Sequence, residues 1–324
     1  MNKTIAKIID DQFNSLVLNT NNPDVDKIDD GESFVIILDK NKIVANISSN
    51  LGNAMKVRAN ILMPYLKRYV QSRSPKNFKI LLNLADLLPI NYEYNIPILS
   101  LTRHRDVNNS ILLPNIDFFT SLYSCLYTSF SDIPYDQKQN SSFFIGSSTG
   151  SSLKNNTRAK FCQACGNIAN YYAFIILNQG EKEDWEKEYP DIMKYVPNRA
   201  FSIQEQLQHK VVINIDGNTL CWSRLYWQVA SNSIPVYINP NQQHVQFMDY
   251  ISSDKTYIPC SLDTAISTID NILNHYSLSD IQSINENGKE YIHTCFDEYM
   301  SNPELFLQEI LNTILDRLYS IYYE

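Results

Sequence analysis

The residues best suited to chemistry stand where strand-like runs end. Val211 to Pro240 reads VVINIDGNTLCWSRLYWQVASNSIPVYINP, with an apolar run, a turn at Asp216-Gly217-Asn218, an aromatic helix-like segment and a second apolar run from Ile234 to Ile238. Strand, turn, helix and strand in that order form a βαβ unit, which implies a parallel sheet with ligands beyond the carboxyl ends of its strands. Gly217 permits a sharp turn or close approach of a ligand. Arg224, just inside the helix, can present a fork to a phosphate. The same pattern also suits an ordinary βα connection.

Three further stretches have this character. Gly146-Ser147-Ser148-Thr149-Gly150-Ser151-Ser152 is a small-residue loop between the strand Phe143-Phe144-Ile145 and a helix beginning near Thr157. Its backbone N–H groups and hydroxyls suit a phosphate, yet it lacks the Gly-Lys-Ser/Thr of a P-loop and the G-x-G-x-x-G fingerprint, so a plain loop stays open. Arg158 adds a cation to an anion site or is a surface arginine. Asp86 directly follows a strand-like run, where a carboxylate can act as a general base or simply cap a turn. Thr102-Arg103-His104-Arg105-Asp106 is either a basic loop for an acidic acceptor or a solvated loop. His209, His244, His275 and His293 have no metal-like partners in sequence and read as packing or surface histidines. Cys162 and Cys165 form a CxxC with no second pair at zinc spacing, and their helix-like setting reads as packing.

The elements that must position these residues follow from periodicity. Phe34 to Leu38 and Lys42 to Ile47 predict a hairpin turning at Asp39-Lys40-Asn41. Helical spacing from about Gly52 to Val70 is broken by Ser72 to Lys76. Phe78 to Leu84 and Ile96 to Leu101 predict buried strands, and Ile116 to Leu126 a helix. The polar tract Ser131 to Ser142 predicts a linker. Beyond it, helices are expected at Trp185 to Tyr195, Cys221 to Ala230, Leu262 to Leu273 and Pro303 to Tyr322. Strands are expected at Val211 to Ile215, Ile234 to Ile238 and Tyr257 to Pro259. This predicts an α/β protein of two Rossmann-like domains facing a cleft, at residues 1–130 and 131–300, with a helix over 301–324 closing back on the N-terminal half.

Composition narrows the class. The 324 residues allow two domains, and 44% hydrophobic with 12% aromatic content supports filled cores. A formal charge of -8 argues against a nucleic-acid binder that relies on overall basicity. Six scattered cysteines are no disulfide scaffold. The polar start, MNKTIAKIIDDQFNSL, contains no apolar segment of signal-peptide length, and no run reaches the roughly 18 apolar residues of a membrane span. A cytoplasmic location is therefore expected. Lys67-Arg68 with Arg103 to Arg105 offers a basic patch for peripheral membrane association.

Together these stretches resemble glycosyltransferase family 90, over roughly residues 75 to 300. His209 to Thr219, then Arg224 and Ala230-Ser231-Asn232-Ser233-Ile234, is similar to the family's K-Y-hydrophobic-D-G-N … R … S-N-S core. Phe143 to Gly150 is similar to F-R-G-S-x-T-G, with Arg158 matching an arginine that commonly follows. Leu81 to Asp86 resembles the strand carrying the catalytic aspartate, and Ile96 to Ser100 with Ile111 to Pro114 resembles another family stretch. Two departures stand out. Ile145 replaces a common arginine, and about one extra residue separates Gly217 from Arg224.

The resemblance implies a GT-B architecture and an inverting transfer from a UDP-sugar to a glycan hydroxyl, such as lipopolysaccharide or capsule, with no metal or other cofactor. Asp86 would be the base. Arg224, with Ser223 and the helix N-terminus, would hold the diphosphate; Gly146, Ser147, Ser148, Thr149, Arg158, Asp216, Gly217 and Asn218 would line the donor pocket. Arg103, His104 and Arg105 would face the acceptor. A catalytically silent sugar- or nucleotide-binding module on the same fold is the alternative.

Overall fold

The computed structural model describes residues 1, 3–16, 32–40, 42–46, 50–86, 96–106, 108, 110–150, 152–166, 168–178, 180, 182–240, 243–247 and 253–323. Asn41, Ile47 and Ser151, which belong to predicted elements, lie outside them. In chain order the strands are β1 Ser33–Asp39, β2 Lys42–Asn46, β3 Phe78–Asn83, β4 Ile98–Ser100, β5 Thr102–His104 and β6 Ile111–Leu112. They continue with β7 Gln139–Ser147, β8 Tyr171–Ile176, β9 His209–Ile215, β10 Ile234–Ile238, β11 His244–Gln246 and β12 Ile258–Cys260. The chain divides into two compact units: Met1–Tyr123, Gln242–Asp249 and Cys295–Glu324 form the first, and Ser124–Asn241 with Tyr250–Thr294 the second.

The first unit is built on a mixed sheet in the order β2-β1-β3-β4-β6. The β1–β2 hairpin turns at Lys40 (φ 52°), and β1 also runs antiparallel to β3, whereas β3–β4 and β4–β6 are parallel. Phe34, Val35, Ile36, Ile80, Leu81 and Leu82 are buried, so the central pair is apolar on both faces. The helix Asn53–Arg73 ends at Ser74, which adopts the left-handed conformation and donates its N–H to the Val70 carbonyl. Onto this helix folds Pro303–Tyr323, whose stripe Phe306, Leu307, Ile310, Leu311, Ile314, Leu315 and Leu318 is buried. An Arg73–Asp316 pair (3.0 Å) and edge contacts of Tyr319 and Tyr323 with Phe78 join the helix to this unit.

The second unit has a five-stranded sheet, β12-β10-β9-β7-β8, in which every neighbouring pair is parallel. Counting its strands along the chain, the order is 2-1-3-4-5, and the direction of winding reverses between β7 and β9. At such a switch point the two loops leave in opposite directions and open a crevice at the carboxyl ends of the strands. Helices Thr157–Cys165 and Ala265–His275 cover one face, over Phe144, Val211, Ile213, Ile215, Val236 and Ile238. Cys162 and Cys165 lie in that core. Burial raises both thiols, Cys165 to about 12, so they pack as inert apolar groups.

The tract Ser131 to Ser142 is not a linker. Lys138 and Asp132 pair at 2.7 Å with side chains only 0% and 3% exposed, and β7 already starts at Gln139. Their polarity reflects a buried ion pair. His209 opens β9 as a packing residue: its ring lies 5.0 Å from those of Phe143 and Tyr172, and its Nδ1 shares a 2.7 Å hydrogen bond with Ser141 Oγ. Burial, reinforced by the charge of Lys138, lowers its pKa from 6.5 to about 4. The folded ring therefore stays neutral while the unfolded one takes a proton, and stability falls as pH drops from 6.5 towards 4, then levels off. Melting curves across that window are expected to show a smaller drop for His209→Gln than for the native chain.

Candidate functional site

The turn after β7 and the turn after β9 are stitched together at the switch point by one side chain. Arg158 projects from the first turn of Thr157–Cys165, whose cap is Asn156: its side-chain oxygen accepts from Ala159 N, and its amide donates to the Ser148 carbonyl. The guanidinium Nε and Nη2 donate to the Ile215 carbonyl at 3.1 and 2.8 Å. Nη1 donates to the Ser147 carbonyl (2.9 Å) and Thr149 Oγ1 (3.0 Å). Arg158 is 6% exposed, and burial, with the nearby charge of Arg224 acting in the same direction, lowers its pKa. It is no surface arginine. Its fork closes the ends of β7 and β9 and fixes a positive charge beneath their loops.

The glycines follow from this clamp. A Cβ on Gly146 would stand 2.8 Å from Phe144 Cζ and 3.2 Å from Arg158 Cδ. On Gly217 it would lie 2.8 Å from Thr149 Oγ1 and 3.0 Å from Arg158 Nη2. Asn218 Oδ1 accepts from Gly150 N at 3.0 Å, which laces the two loops directly. Asp216 turns inward: its Oδ1 accepts from Cys221 N (2.9 Å) and from the Tyr237 hydroxyl (2.5 Å). Burial, then this carboxylate, pushes Tyr237 well above its usual range. Ser148 also turns inward, with its hydroxyl bonded to Asn178.

Arg224 is the first residue of the helix Arg224–Val229, whose six residues are too few for a sizeable macrodipole, and Ser223 makes no capping bond to it. Among the described residues, Arg224 Nη1 is buried without a hydrogen-bond partner, as are Gln228 Oε1, one turn on, and both side-chain polar atoms of Asn214 on β9. Buried polar groups are nearly always satisfied, so this face of β9 is suited to a polar ligand or ordered water. Gly146, Ser147, Thr149, Arg158, Asp216, Gly217 and Asn218 thus form one cluster. Asn156, Asn214, Gln228 and Tyr237 are parts of its frame that sequence reasoning passed over. Only Asn156, a capping type two residues ahead of Arg158, carried a readable signal.

In the first unit, Asp86 lies just beyond β3, and Arg58 Nη2 donates to its carboxylate at 2.7 Å. The side chains are 34% and 16% exposed, so the pair is open on the aspartate side. Arg58 also donates to the Leu84 carbonyl, and Thr102 Oγ1 donates to the Asp86 carbonyl, which pins the turn. Sequence reasoning missed Arg58, which stands 28 residues away on a helix. Thr102 to His104 is no solvated loop. It forms β5, antiparallel to β11 with His104 opposite His244, and Arg103 is 6% exposed with a bond to Asn108. Arg105 and Asp106 are exposed. Burial and the proximity of His104 lower the pKa of His244.

The sequence pattern of Glycosyl transferase family 90 matches residues 94–301. The chain belongs to glycosyl transferase family 90. Its members are transferases with a donor and an acceptor substrate. The matched stretch contains every residue of the second-unit cluster and Arg103 to Arg105, and it begins after Asp86. No curated protein matches the chain. Before Arg224 the loop is tied down through Cys221, whose N–H donates to Asp216. Among the described residues no helix is long and apolar enough to cross a membrane, and no three His, Cys, Asp or Glu side chains gather as a metal-binding group.

Proposed function

We propose that this family 90 glycosyltransferase moves a sugar from a UDP-sugar to a hydroxyl of a glycan acceptor, such as lipopolysaccharide or capsule, with inversion and in the cytoplasm. The second unit, with residues 131–300 as its sequence-level counterpart, would bind the donor; the first would supply the base. Asp86 takes the acceptor hydroxyl proton as that oxygen forms a bond to the anomeric carbon. On the opposite side the bond to the diphosphate breaks, and UDP leaves with the electron pair. Arg224 neutralises the charge that develops on the leaving group, above the fixed charge of Arg158, and no divalent cation is required. Arg58 holds the Asp86 carboxylate in one orientation.

The observation that supports this reading is the placement of Arg158, Gly217 and Asn218 at the β7–β9 switch point, where a parallel sheet receives nucleotides. A second reading, a binding module without transfer, draws on Ile145, which is buried at 8% exposure and contributes no charge where many family members carry arginine. One assay separates them. Incubation with a panel of UDP-sugars and glycan acceptors, followed by NMR of the product, is expected to show the anomeric configuration opposite to that of the donor. Retained configuration would exclude single-displacement chemistry at Asp86. UDP binding with neither transfer nor donor hydrolysis would favour the binding module.

A further inference from the structure

A cavity of about 510 Å3 opens at the amino-terminal edge of the second unit's sheet, bounded by the turn before β7, by Asn232 just ahead of β10 and by one face of the helix Leu278–Ser301. The Arg158 cluster lies at the other end of these strands, roughly 20 Å away at the rise of a seven-residue strand. The wall is prebuilt. Asn232 donates its backbone N–H to Asp132 Oδ2 and its side-chain amide to the carbonyls of Asp132 and Ile133, while Lys289 Nζ donates to Asn232 Oδ1. Asp132 is locked in turn by buried Lys138.

This wall also carries a buried acceptor without a donor. Asn285 is 9% exposed, and its side-chain N–H donates to the Asn232 carbonyl at 3.0 Å. Among the described residues its Oδ1 is buried with no hydrogen-bond partner. That oxygen calls for an O–H or N–H. Asp136 and Glu286 add further acceptors, whereas Pro134, Ile281 and Leu278, the last 64% exposed, supply apolar surface. The two carboxylates disfavour a phosphate, and the Lys289 ammonium disfavours a cation. An apolar ligand would leave Asn285 unanswered. A neutral ring bearing several hydroxyls and a C–H face answers all of these groups together.

We infer that this cavity binds a neutral pyranose, free or as one residue of a glycan, far from the Arg158 cluster. The inference does not depend on the transfer reading. Saturation-transfer NMR on the full chain, with saturating UDP present, tests it using methyl β-glucopyranoside, methyl β-xylopyranoside, methyl β-galactopyranoside and cellotriose. At least one glycoside is expected to receive saturation. The double substitution Leu278→Ala/Glu286→Ala, at two exposed positions that do not endanger folding, is expected to weaken its binding at least fivefold, and Asn285→Ala to weaken it further. Tighter binding of cellotriose would identify a glycan chain as the source, and equal binding a free sugar. No saturation of any probe, loss of the signal on adding UDP, or unchanged affinity in the double variant would overturn the inference, whatever the outcome of transfer assays.

Discussion

Asp86→Asn is expected to lower kcat by about 10³-fold while UDP affinity changes less than twofold. The amide is nearly isosteric, and its oxygen can still accept from Arg58, so the turn that Arg58 and Thr102 pin to Asp86 should keep its shape. On the proposed mechanism, what disappears is the capacity to take the acceptor proton. A drop of that size corresponds to about 4 kcal/mol in the barrier, within the range of a removed general base and well beyond what a lost turn cap does to a reaction. Steady-state kinetics with a saturating donor, alongside UDP calorimetry, separates the roles. A kcat within fivefold of the native value would reduce Asp86 to a cap, and lost UDP binding in a folded variant would remove its assignment as base.

The largest effect on stability is expected at Arg158. Arg158→Met keeps apolar volume but leaves the Ile215 and Ser147 carbonyls without their donor. Each buried acceptor left unsatisfied costs about 1–3 kcal/mol, so the second unit should lose roughly 3–5 kcal/mol. Melting should fall by roughly 10 °C, and on the proposed reading UDP binding should weaken because the loops after β7 and β9 lose their common clamp. Arg158→Lys retains a charge without the fork and should fall between the two. Scanning calorimetry of the three proteins checks the order. A melting temperature for Arg158→Met within 3 °C of native would mean that the guanidinium does not hold the strand ends together.

The centre of the second unit was legible in the sequence because β9 and β10 are buried on both faces and read as continuous apolar runs. The Gly146 and Gly217 turns were legible because small residues between strand and helix have few other uses. The direction in which side chains point was not. Asp216 and Ser148 look like ligand groups, yet their oxygens close the loops through Tyr237, Cys221 and Asn178, contacts that only the packed sheet creates. Arg103 was read as part of a loop because its strand pairs with β11, about 140 residues away. The helix Leu278–Ser301 went unread because Gly288 and many polar residues interrupt its apolar stripe. Gly288 is there for close approach: a Cβ would meet the Val229 carbonyl at 2.5 Å.

On the proposed reading, the second unit binds the donor diphosphate through Arg224, near the Arg158 clamp. Titration calorimetry with UDP and no divalent cation, comparing the native chain with Arg224→Ala, tests it most directly. UDP is expected to bind the native chain and to bind the variant at least tenfold more weakly, a loss of about 1.4 kcal/mol or more. Equal affinity in the two proteins, or no UDP binding by the native chain, would contradict it.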